Sequence, residues 1–150
     1  MSGDYLWLKF AHVFIAIVAM GTSAALAILL EFFGSHPTHG PFVLRAILRL
    51  LYCVVIPGYV LMLVTGMWMG HAASLLDAHW TEAAMNIWGI GALFFAGFSI
   101  VLRVQIRLLE AHGPASTAYM KAALLGRVLG GGAGLVVVTI LYFMVFKPAG

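Results

Sequence analysis

Four long apolar stretches dominate the chain, each closed by a cluster of helix breakers or charges. The first runs from about Tyr5 to Phe33 and ends in Gly34-Ser35-His36-Pro37-Thr38-His39-Gly40-Pro41, a segment too rich in Gly and Pro to continue a helix. The second covers about Val43 to Gly70, with Arg45 and Arg49 in its opening turns. The third covers about Ala83 to Leu109 and the fourth about Gly126 to Phe146. Each is long enough to cross a hydrocarbon core of roughly 30 Å as a helix. The connection 110–125 contains His112-Gly113-Pro114 and is expected to end in a short surface helix.

The pattern predicts an all-α fold: a single integral membrane domain over residues 1–150, built as a four-helix transmembrane bundle. Composition removes the soluble alternative. The chain is 63% hydrophobic and 9% charged, against roughly 45–50% and 25% for soluble domains. Lipid tolerates such a surface provided each span satisfies its own backbone hydrogen bonds. The first run lacks a basic leader and is longer than a signal-peptide core, so it is read as a helix that is retained.

Charge sets direction. Arg45 and Arg49 flank the first loop, and Arg103, Arg107, Lys121 and Arg127 flank the third. The other side carries Lys9 and Lys147 together with Asp4, Asp77 and Glu82. By the positive-inside rule the first and third loops are cytoplasmic and both termini lie outside, N-out/C-out, in a multi-pass protein. Trp7, Trp68, Trp80 and Trp88 fall at or near the outer interface on this reading. The formal charge of +3 comes from single residues at helix ends, a topological signal and no sign of a nucleic-acid partner.

Two local features break the monotony of the spans. Pro57 cannot donate to the carbonyl of Cys53, which predicts a kink near mid-membrane beside Gly58. Gly126, Gly130 and Gly134 recur at four-residue spacing and permit close approach of another backbone, within the chain or in a second copy, with packing inside the bundle favoured. Cys53 is the one cysteine and can form no intramolecular disulfide.

Chemistry centres on His12, an ionisable residue inside a span. Ala16, Ala19 and Ser23 follow at helical spacing and make a small, faintly polar face expected to point inward. Two readings compete. In one, a neutral imidazole makes one hydrogen bond to a neighbouring helix and fixes packing. In the other, it ligates a metal or a heme iron, with Lys9 one turn nearer the surface to meet an anionic group such as a propionate. The second axial ligand would be His71, or a sulfur among Met62, Met67 and Met69. Most methionines, at apolar positions, read as filler. His36 and His39 form a His-x-x-His pair, a weak metal signal without Cys or acidic neighbours. Asn86 is expected to cap or bridge helices, and Glu31, Arg103 and Arg107 to snorkel and pair. No phosphate loop, Ser/His/Asp set or pair of buried carboxylates occurs, so hydrolytic or nucleotide-driven chemistry has no basis.

The run Leu8-Lys9-Phe10-Ala11-His12-Val13, followed by Gly21, resembles the opening of several small bacterial membrane families. These are the copper-resistance D proteins, the HemJ-type protoporphyrinogen oxidases and a predicted integral membrane family of unknown function. The last is the most similar, because the ending Met144-Val145-Phe146-Lys147-Pro148 also resembles its C-terminus. The resemblance to the HemJ-type family implies heme ligation by His12. A tryptophan common before the glycine in those openings is replaced here by Met20, a departure that bears on protoporphyrinogen oxidation and leaves heme ligation open. The expected function is therefore b-type heme binding, with redox or electron transfer to a membrane quinol or porphyrin. If an enzyme, the protein would be a heme-dependent membrane oxidoreductase. The alternatives are a cofactor-free accessory subunit of a homo-oligomer or larger membrane complex, and a copper-handling protein using His12 and methionines.

Overall fold

The computed structural model describes residues 3–147, so the Pro148 of the C-terminal motif lies outside the described residues. The elements are α1 (Gly3–Phe33), α2 (Gly40–Leu50), a π-helical turn (Leu51–Val55), α3 (Ile56–Ala72), α4 (His79–His112) and α5 (Thr117–Phe146). The segment from α2 through α3 is one span, Gly40–Ala72, and with α1, α4 and α5 it gives four helices long and apolar enough to cross a membrane. Among the described residues there is no strand. The fold is the expected all-helical four-span bundle.

Local chemistry explains the helix ends. Pro41 sits in the first turn of α2, where its missing N–H leaves no bond unmade. The second span begins at Gly40, three residues earlier than the apolar pattern alone indicates. The fourth begins nine residues earlier: the surface helix expected before Gly126 is continuous with the span, because nothing between Thr117 and Gly126 breaks a helix and Ser116 caps it by accepting the Tyr119 N–H at 3.3 Å. The irregularity beside Pro57 takes the form of a π-helical turn immediately before it. The Ile56 N–H bonds back to the Leu51 carbonyl, an i→i−5 bond that defines the π turn.

The bundle has two halves. α4 and α5 form its most extensive helix pair, and α1 lies along α3 and α2. The halves join chiefly where α2 meets α4, and there the tightest core collects: Leu44, Ile47, Val55, Leu102, Gln105 and Tyr119 are essentially inaccessible. Outward-facing Phe10, Phe14, Ile17, Leu93 and Leu135 are exposed and suited to lipid. The glycine stripe divides. A Cβ on Gly126 would strike the Gln105 side chain and one on Gly130 would touch Phe98 of α4 at 3.4 Å, whereas Gly134 has nothing within 4 Å.

Ion pairs stitch the basic end. Glu31 accepts from Arg127 Nε at 2.8 Å, Arg45 pairs with Glu110, and Arg103 donates to the Tyr52 hydroxyl at 2.6 Å. Asn86 is exposed within α4 and makes no hydrogen bond among the described residues, so it neither caps nor bridges helices. Trp88 of the expected belt is half-buried against a neighbouring helix. Its ring stacks on Tyr59 with centroids 4.9 Å apart, and the Tyr59 hydroxyl donates to the Trp88 carbonyl at 2.9 Å.

Tyr119 closes the same end by donating to the Gly34 carbonyl at 2.7 Å. Tyr119→Phe removes that donor and leaves a buried carbonyl short of a partner, at a cost of about 1–3 kcal/mol. Titration with SDS from a mild-detergent micelle should show the loss as an earlier unfolding midpoint; an unchanged midpoint would assign the bond no role in stability.

Candidate functional site

The face of α1 carrying His12, Ala16, Ala19 and Ser23 turns inward onto α3, as its small residues predict. Ala19 is buried, and a Cβ on Gly58 would lie 2.8 Å from the Ala19 Cβ, so the two backbones meet at that point. The antiparallel register that pairs Ala19 with Gly58 also pairs His12 with Thr65, seven residues away on each helix. His12 Nδ1 stands 2.7 Å from Thr65 Oγ1. Gly66 completes the contact: a Cβ there would be 3.3 Å from the imidazole Cε1.

The Thr65 hydroxyl has one hydrogen and two acceptors within reach, the Leu61 carbonyl at 2.7 Å and His12 Nδ1 at 2.7 Å. When it makes the back-bond to Leu61, typical of threonine within a helix, it accepts from His12, so that Nδ1 carries the hydrogen and Nε2 keeps its lone pair; in the other tautomer the hydroxyl donates to Nδ1. Nε2 makes no hydrogen bond. Among the described residues no buried side-chain nitrogen or oxygen lacks a partner, so Nε2 reaches the surface of the bundle.

The other residues singled out in the sequence are arranged unevenly around this pair. Lys9 is exposed one turn before His12, without an ion-pair partner among the described residues. His71 is exposed and lies six residues past Thr65, roughly 9 Å further along the helix axis. It lines a shallow hollow with Ser74, Leu76 and Asp77, away from His12. Met67 is exposed, and its position two residues from Thr65 turns it about 200° away from the His12 face. Met62 and Met69 share the Thr65 face and are half-buried, which makes them the better-placed sulfurs. His36 and His39 stack at 4.7 Å, yet His36 Nδ1 accepts the backbone N–H groups of Thr38 and His39 and so serves the turn. No cluster of three or more His, Cys, Asp or Glu side chains able to hold a metal occurs among the described residues.

Sequence reasoning missed Thr65. Its signal was a polar residue beside Gly66, about as far from the end of α3 as His12 is from the start of α1. Depth matching between antiparallel neighbours finds such a pair once the helices are known to touch.

Four apolar helices with one imidazole fixed by a hydroxyl inside the first contact define a small polytopic integral membrane protein. The chain belongs to the family described as "Predicted integral membrane protein (DUF2269)", whose model matches residues 6–148. No curated protein and no solved structure shows significant similarity to it.

Proposed function

We propose that the protein binds heme b within the membrane, with His12 Nε2 as one axial ligand, and exchanges electrons with a membrane quinol or porphyrin. The observation that carries this reading is the His12–Thr65 bond. Histidines that ligate metals characteristically donate their other ring N–H to a fixed oxygen, which sets tautomer and ring orientation and leaves the ligating nitrogen bare. The donor set fits one axial position. Lys9, one turn along the same helix, is available to a carboxylate at the surface. His71 and Met67 stand apart from His12, which leaves Met62 and Met69, on the Thr65 face, as the candidates for the second position. A bound heme would supply one-electron chemistry; the protein's part is to orient the imidazole and hold its proton on Nδ1.

The test is the visible spectrum of the full-length protein purified in detergent from heme-replete cells. A Soret band that shifts on reduction supports the proposal, and a colourless preparation sinks it. Bound copper without that band would favour copper handling through His12 and the sulfurs of Met62 and Met69.

A second reading has its own observation. A Cβ at Gly66 would lie 3.3 Å from the ring and His12 bonds Thr65 beside it, so His12 serves equally as a clamp between α1 and α3 in a cofactor-free accessory subunit. On that reading a double-mutant cycle on His12 and Thr65 still yields roughly 0.6–1.7 kcal/mol of coupling while no spectrum appears.

A further inference from the structure

The groove between the second and third spans is independent of His12. Its lower part is a ladder of polar pairs, Arg45 with Glu110 and Tyr52 with Arg103. The pairs share one antiparallel register, so Arg49 and Arg107 fall between the two rungs, spaced i, i+4, i+7 along their helices with Arg45 and Tyr52 on one and Arg103 and Glu110 on the other. All four arginines are exposed, and the one carboxylate of the ladder is taken by Arg45. Arg49, Arg103 and Arg107 have no carboxylate partner among the described residues.

Directly above the arginines the groove opens into a cavity of about 270 Å³, whose walls include Tyr52, Tyr59, Trp88, Phe95, Ala96 and Ser99. It exists because α2 packs along α4, whereas above the π turn α3 packs on α1 and reaches α4 mainly through the Tyr59 ring. Gly91 makes room for that ring, since a Cβ there would strike the Tyr59 hydroxyl. The wall is apolar: Tyr59 donates to the Trp88 carbonyl at 2.9 Å and Ser99 to the Ala96 carbonyl at 2.8 Å, so both hydroxyl protons are used. Tyr52 differs, since it accepts from Arg103 and keeps its own proton to offer at the mouth. From Ser99 to Trp88 the wall rises roughly 16 Å, about half of a hydrocarbon core of roughly 30 Å.

We propose that this groove is a binding site for an anionic phospholipid, with its phosphate at Arg49, Arg103 and Arg107 and one acyl chain in the cleft beneath Trp88. Three uncompensated cations at the headgroup level select negative charge, and basic pockets between spans are suited to anionic headgroups. The apolar cleft that continues from them for the depth of one leaflet selects a chain. A free phosphate satisfies only the first half of the site, and a headgroup-free hydrocarbon only the second.

Native mass spectrometry of the intact detergent-purified protein tests this, with 1-palmitoyl-2-oleoyl phosphatidylglycerol, the matching phosphatidylcholine and inorganic phosphate as separate probes. Phosphatidylglycerol should be retained at least tenfold more than phosphatidylcholine. Arg49→Gln with Arg107→Gln should weaken it on the order of thirtyfold, two charges at about 1 kcal/mol each. Ala96→Phe, which fills the cleft from an exposed position, should lower its retention with the arginines intact. Equal retention of the two lipids by the wild-type protein overturns the proposal without any variant. So does displacement of phosphatidylglycerol by millimolar phosphate, or a preference that survives either change in protein eluting like the wild type. Heme content plays no part in the readout, so failure here leaves the His12 reading untouched.

Discussion

If His12 holds heme as proposed, His12→Ala is expected to abolish the Soret absorbance of the purified protein, because it removes the Nε2 that would hold the iron. Thr65→Val separates ligation from packing more finely. It keeps the β-branched shape but deletes the oxygen that accepts from Nδ1. The ring then loses its orientation and the preference for carrying its proton on Nδ1. Removing such an outer partner costs about 10–100-fold in affinity. Titration of heme into the stripped variant should read that loss, with helix content unchanged. Thr65→Ser, which restores the oxygen, should recover most of the affinity. A Soret band of wild-type intensity in His12→Ala would remove His12 from the site altogether.

Gly58→Leu is the substitution expected to damage the fold most. A Cβ at residue 58 would sit 2.8 Å from the Ala19 Cβ, and neither belongs to a long side chain that can swing aside. The helices must separate. α1 depends on this surface, since its contact with α5 is slight and it has no substantial contact with α4. Overpacking typically costs 1–3 kcal/mol, and a contact between backbones belongs near about 3 kcal/mol or above. SDS titration should show an early transition. A cysteine pair placed at His12 and Thr65, which the native register brings together, should crosslink in the parent and fail to do so once Gly58→Leu is added. Gly134→Leu is the control, because nothing lies within 4 Å of that position. Equal damage from both substitutions would show that general loss of small residues, and not the Ala19 contact, is responsible.

The spans were readable because lipid imposes one rule along the whole chain: long apolar runs, interrupted where backbone groups can be wetted. Breakers at 34–41 and 113–114 therefore set the loops. The start of α5 was misplaced because hydropathy falls around Lys121 while helix-forming tendency does not, and the Ser116 cap, not the loss of polarity, begins the helix. Pro57 located the irregularity in the second span, but a π turn instead of a bare kink depends on which carbonyl the Ile56 N–H finds. His12 stood out alone as a charge-bearing group in an apolar run. Thr65 did not, since a threonine is ordinary in a membrane helix and its meaning comes from the Gly58–Ala19 contact that sets the register. The arginine ladder was visible only as scattered topological charges. Its common face emerges when α2 and α4 are laid side by side.

The π turn at Leu51–Val55 carries one residue more than an α-helical path of the same rise, which advances everything after it by about 100° around the axis. That offset lets a single span address two neighbours. Below it Arg45 and Arg49, and within it Tyr52, look toward α4, and above it Gly58 and Thr65 look toward α1. Excising any one residue of the turn would restore an unbroken screw and swing the upper segment out of phase with α1. One codon thus governs whether the imidazole and the cationic groove can coexist on the same rod.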